Sequence, residues 1–171
     1  MKSLVIYSSK TGNTKKIAEA IYNTLPDKKH ITDIESIPQD INTYDIIFDG
    51  FWIDREMPDT STQTFLKTLN NTHIALFATL GALPDSMHAQ ECLASGKMLL
   101  ASNNIYLGGY ICQGKVAAKL INQMTKMFPA GHPHAMTQER RIMLSKGAKH
   151  PDAEDLHKAS IFASEMLKIR G

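Results

Sequence analysis

The sequence predicts a three-layer, doubly wound α/β domain built on a five-stranded parallel sheet. Three observations carry this. Short apolar runs such as Leu4-Val5-Ile6-Tyr7 and Ile46-Ile47-Phe48 have the make-up of strands buried on both faces. Segments with apolar residues at helical spacing alternate with these runs. The connections between them are short, which favours parallel strands joined by covering helices.

The first strand is expected over 4–7, followed by a loop over 8–13. Ile17, Ala18, Ile21, Tyr22 and Leu25 then recur at helical spacing until Pro26 ends the helix. A weaker strand is expected over 30–34. The next strong strand covers 45–48 and ends at Asp49-Gly50. Asp59 or Thr60 caps a helix carrying Phe65, Leu66 and Leu69. A third core strand is expected over 74–80, broken by Gly81, then a helix over 87–100 and a strand over 105–112. Three helical pieces close the chain, over 116–128, 137–146 and 152–169. Residues 131–136 read as a loop. At 171 residues the chain fits one domain spanning 1–171.

Composition excludes several functions. The chain is 43% hydrophobic and 21% charged, as in globular proteins, and its formal net charge is only +2. Apart from Lys15-Lys16 and Arg140-Arg141 its cations are scattered, so no nucleic-acid stripe emerges. No apolar run reaches the roughly 18 residues that span a membrane. The start, Met1-Lys2-Ser3, has no signal-peptide pattern, so a cytoplasmic protein is expected. Cys92 and Cys112 lack CxxC spacing and are expected to be buried as small apolar residues.

Chemistry concentrates in Ser8-Ser9-Lys10-Thr11-Gly12-Asn13-Thr14, between the first strand and the first helix. Backbone N–H groups at a helix start lack intrahelical partners, and the helix dipole adds partial positive charge there. A phosphate monoester suits that place, with Ser9, Thr11, Asn13 and Thr14 as further donors and Gly12 permitting close approach. Neither GxxxxGK[ST] nor GxGxxG occurs, which excludes the commoner nucleotide loops.

The string Val5, Ile6, Tyr7, Ser9, Gly12, Thr14, Ala18 and Ile21 resembles the signature of the flavodoxin family. The resemblance implies a flavodoxin-like fold that binds FMN at the carboxyl ends of its central strands, where the switch-point rule also puts ligands. It implies that Ser9, Lys10, Thr11, Gly12, Asn13 and Thr14 cradle the FMN phosphate. Two further loops, holding Phe51, Trp52 and Ile53 and then Thr79, Leu80, Gly81 and Asp85, would clamp the flavin ring. Trp52, the chain's one tryptophan, would stack on it. Many flavodoxins place a glycine after that aromatic, whose peptide turns over to meet flavin N5 once an electron arrives; here the residue is Ile53.

Three departures from the family stand out. The second ring loop, 79–86, has no aromatic residue; the chain is not acidic; and residues around 130–151 are additional. By position the added segment, with His132, His134, Arg140, Arg141 and His150, lies near the strand ends and covers part of the flavin. His132-Pro133-His134 has no Cys or carboxylate at ligand spacing, so no metal is expected.

The family implies an electron-transfer protein passing electrons from a reductase to an acceptor enzyme. Two alternatives stay open: an FMN oxidoreductase acting directly on a small acceptor such as a quinone, and an accessory module without flavin. Gly50-Phe51-Trp52-Ile53-Asp54-Arg55, Cys112-Gln113-Gly114-Lys115 and Met136-Thr137-Gln138-Glu139-Arg140-Arg141 are similar to segments of flavodoxin-like accessory proteins of anaerobic bacteria. Those accompany flavin-dependent reductases, including ones acting on bile pigments, which implies a partner of that class.

Overall fold

The computed structural model describes residues 1–132 and 135–171. In chain order the elements are β1 (Ser3–Tyr7), α1 (Asn13–Thr24), β2 (Lys29–Asp33), β3 (Ile46–Asp54), β4 (Met57–Pro58), α2 (Thr60–Leu66) and β5 (His73–Leu80). They continue with α3 (Met87–Lys97), β6 (Ile105–Gln113), α4 (Ala118–Met127), α5 (Gln138–Gly147) and α6 (Ala153–Arg170). Five strands form a parallel sheet in the order β2-β1-β3-β5-β6, and β4 adds a short antiparallel pairing to β3.

Strand alternation divides the core into two layers. Val5, Ile46, Phe48, Ala75 and Phe77 pack with Ile17, Ala18 and Ile21 of α1 and Ala159, Phe162 and Ala163 of α6. Leu4, Ile6, Ile47, Phe51, Leu76 and Ala78 meet Phe65 and Leu66 of α2 and Ala89 and Leu93 of α3 on the opposite face. Both cysteines are buried, and burial is the main cause that raises each thiol above its ordinary range.

The β2–β3 connection holds only two short 3₁₀ turns, Ile34–Ser36 and Ile41–Thr43. Between this connection and α2 runs a groove of about 540 Å³ floored by Ile34, Ile41 and Phe65.

The main correction concerns β3. It does not stop at Asp49-Gly50 but continues through Phe51, Trp52 and Ile53 to Asp54. The chain then reverses at Arg55 and Glu56, both at positive φ (49° and 71°), into β4. The expected first ring loop is therefore the end of a strand, and alternation decides where each of its side chains points.

Candidate functional site

Tyr7 closes β1 opposite Gly50 of β3, and the Ser8 N–H donates to the Gly50 carbonyl at 2.8 Å. The loop that follows is organised by Ser9, whose Oγ accepts from the N–H groups of Gly12 (3.1 Å) and Lys15 (3.3 Å). With both lone pairs engaged, the Ser9 O–H remains a donor. Thr11 Oγ1 likewise accepts from Asn13 Nδ2 at 3.0 Å and keeps its own proton to give.

Gly12 caps α1 in the left-handed region (φ 88°) and brings no side chain to the first N–H groups of that helix. By contrast α2, α3, α5 and α6 begin on Asp59, Ser86, Thr137 and Asp152, each accepting from its own helix. An added Cβ at Gly12 would meet nothing within 4 Å, so the glycine answers to backbone conformation and to open approach. The donor set of this helix start fits a terminal phosphate.

Thr14 is placed differently from expectation. Its side chain is buried, and its hydroxyl lies 2.9 Å from that of Thr79 in β5. It ties α1 to the sheet, leaving only its backbone N–H for an anion. Thr79 is also in register with Trp52 of β3. The phosphate loop, Trp52 and Thr79 thus meet at one end of the sheet, on the α1 face. Lys10 Nζ lies 4.6 Å from the centroid of the Trp52 ring.

Two expected ring-loop residues turn inward instead. Phe51 is fully buried in the α2–α3 layer, because the extension of β3 sends alternate side chains to that face. Leu80 is still within β5 and buried, and its carbonyl accepts from the Gly114 N–H at 2.8 Å. Ile53 pairs with Pro58, and the Trp52 carbonyl accepts from the Asp59 N–H at 3.2 Å. Asp85 is exposed on the loop just ahead of Ser86, the N-cap of α3.

Residues 113–116, which the sequence marked only by resemblance, form a structural junction. Gln113 is buried, and its Nε2 donates to the carbonyls of Gly81 (3.2 Å) and Met143 (3.4 Å). A Cβ at Gly81 would come within 2.6 Å of Val116, so only glycine lets the loop after β5 lie this close. Asn13 Nδ2 donates to the Lys115 carbonyl at 2.9 Å, and the Lys115 N–H donates to the His150 carbonyl. The added segment is therefore rooted beside both the phosphate loop and the loop after β5. These contacts join residues 30 or more apart, so no local pattern announces them.

Asp49 is a second surprise. It sits fully buried in β3, facing the α2–α3 layer, and its carboxylate oxygens have no hydrogen-bond partner among the described residues. Burial, with a smaller contribution from the Asp59 charge, holds its carboxyl well above the ordinary range. An unpaired interior carboxyl takes up its proton rather than carry a charge.

His150, Asp152 and Asp155 come together at the start of α6. Asp152 Oδ1 accepts from the N–H groups of Glu154 and Asp155, and Asp155 Oδ2 from that of Asp152, so both carboxylates are engaged in a capping box. The His132-Pro133-His134 motif lies partly outside the described residues. Among the described residues no helix is long and apolar enough to cross a membrane.

A family model described as a flavodoxin domain matches residues 4–164. The chain belongs to the flavodoxin family. It is 34% identical over 170 residues to a flavodoxin-like domain-containing protein named BilS from Clostridioides difficile, covering 98% of this chain and 97% of that one. A second BilS, from Clostridium symbiosum, is 24% identical over 91% of this chain and 90% of its own. Among solved structures, oxidised flavodoxin 2 from Bacillus cereus matches at a TM-score of 0.64 and 17% identity, covering 98% of this chain and 99% of that one. A flavoprotein in complex with FMN from Lactobacillus acidophilus matches at 0.53 and 19%, over 64% of this chain and 92% of that one. The shared strand order β2-β1-β3-β5-β6 is the flavodoxin order, with the switch point between β1 and β3. Family membership suggests a flavin-binding electron-transfer protein.

Proposed function

We propose that this flavodoxin binds FMN at the β1–α1 loop and carries electrons between a reductase and an acceptor enzyme. The observation that carries the reading is the start of α1: without an N-cap side chain, opened by Gly12, and placed beside Trp52 and Thr79 at one end of the sheet. The N–H groups of Asn13 and Thr14, with the hydroxyls of Ser9 and Thr11, would hold the phosphate. Trp52 would offer its indole to the ring, and the backbone after Thr79 would border the other side. FMN, when bound, supplies one- and two-electron redox chemistry. The acceptor proposed is a flavin-dependent reductase of an anaerobic organism, on the similarity of residues 50–55, 112–115 and 136–141 to accessory proteins of such enzymes. Action in the cytoplasm belongs to the same reading.

Titrating the protein with FMN, riboflavin and FAD tests the phosphate assignment. One FMN per chain, bound more tightly than the other two, is expected. Equal affinity for riboflavin would mean that the helix start does not hold a phosphate.

A further inference from the structure

Residues 115–149 hold seven of the chain's 19 Lys and Arg but one of its 17 Asp and Glu. With His neutral, this stretch carries +6, while the remainder of the chain carries −4. Such a dipole of charge is invisible in the overall value of +2.

In the structure this charge is carried by α4, by α5 and by the stretches that flank them. No residue of α4 is buried, although its apolar side chains are clustered. Leu120 and Met127 are exposed, Ile121 and Met124 only partly covered, and together they form one stripe at helical spacing. Exposed Lys119 and Lys126 flank the stripe. Ile142 of α5 is exposed as well, with Arg141 beside it. Adaptable methionines with a cationic rim have the make-up of a protein-binding face: an apolar centre and a polar edge.

Its place in the fold says what such a face serves. Gln113 joins Gly81 to Met143 of α5, and Asn13 reaches the Lys115 carbonyl just ahead of α4, so α5 and the stretch leading into α4 are tied to the two loops proposed to hold the flavin. A partner seated here lies beside that site. A membrane fits less well: the stripe is only four side chains, Leu120, Ile121, Met124 and Met127, and α4 has no Trp, Tyr or Phe to anchor it.

We propose that α4 and α5 form the docking surface for an acidic protein that exchanges electrons with this flavodoxin. The proposal rests on the electron-carrier reading above but makes a separate claim: the partner's charge is negative, and it is received on α4 and α5. A stretch of charge +6, of which α4 and α5 hold +4, accelerates encounter with an acidic partner and repels a basic one, with a steep dependence on salt.

The test uses the full chain, an acidic plant-type ferredoxin as probe and a basic c-type cytochrome as control. Amide shifts mapped by NMR are expected in α4, α5 and the loop after β5 when ferredoxin is added at low ionic strength. Binding should weaken by about tenfold or more as salt rises from low to physiological levels, and the cytochrome should bind poorly. The variant Lys119→Glu/Lys126→Glu/Arg141→Glu should bind ferredoxin at least about tenfold more weakly while FMN affinity is unchanged. A footprint outside α4 and α5, equal binding by the variant, or equal binding of the cytochrome overturns the proposal. So does attachment to phosphatidylserine vesicles through α4 in preference to ferredoxin. Failure to bind FMN, with the footprint on α4 and α5, sinks the electron-carrier reading and leaves this surface standing. FMN binding with the footprint elsewhere does the reverse.

Discussion

The Lys10 ammonium lies over the Trp52 ring, 4.6 Å from its centroid, joining the phosphate loop to the end of β3. An exposed cation–π contact of this kind is worth about 0.5–1 kcal/mol. It holds the indole beside the loop.

The chain's one tryptophan makes this pair an optical reporter. FMN is expected to quench nearly all tryptophan emission, and Trp52→Ala to weaken FMN binding. Lys10→Ala should change FMN affinity by less than about tenfold, since an exposed cation–π attraction is weak. Emission that survives saturation with FMN would move the indole away from the ring.

The Thr14–Thr79 pair yields a stability prediction. Thr79→Val leaves the buried Thr14 hydroxyl without this partner, and urea unfolding should show a loss of about 1–3 kcal/mol. Thr14→Val/Thr79→Val removes both hydroxyls and should recover most of that loss, giving a double-mutant cycle with clear coupling. Additive losses would show that the two hydroxyls act independently.

Asp49 predicts a pH dependence whose sign can be worked out. Its folded-state pKa is raised, so the folded chain binds the proton more tightly than the unfolded one. Below about pH 4 both states are protonated and the full stability is present. As pH rises the unfolded carboxyl ionises first, and stability falls by up to about 1.4 kcal/mol per pH unit until the folded carboxyl also titrates. Asp49→Asn lacks this slope. Urea unfolding at several pH values should show the variant gaining on the parent from acid to neutral pH, and the reverse trend would refute the assignment.

Ile53 bears on partial reduction. The peptide after Trp52 is held by the Asp59 N–H, and a β-branched residue at positive φ costs on the order of 1–3 kcal/mol. Stepwise reduction of the FMN-loaded protein should therefore accumulate little half-reduced flavin, and Ile53→Gly should increase it. A large, long-lived half-reduced fraction in the unmutated protein, followed by visible absorbance, would overturn this.

Most of the fold was legible because its strands are short apolar runs and its helices carry regular spacing or recognisable caps. Asp59 and Gly81 fall where expected, as N-cap and strand breaker. The end of β3 was not legible, for a physical reason. Phe51-Trp52-Ile53 continues the apolar run, and the reversal that ends it uses Arg55 and Glu56 at positive φ, where Gly or Asn would have signalled a turn. Once the strand is lengthened, alternation buries Phe51 and leaves Trp52 at the sheet end. Gln113 was hidden because its partners are distant in sequence, and Asp49 because an aspartate beside a glycine reads as a strand end.

Burial of Asp49 also alters how the protein behaves as a colloid. The formal charge of +2 counts that residue as an anion. Because burial holds that carboxyl well above its ordinary range, it keeps its proton to higher pH in the native chain than in the denatured one, and over that range the native chain is the more positive of the two. Native electrophoretic mobility should therefore be more cathodic than the composition implies, and the isoelectric point of the folded protein should lie above that measured in urea.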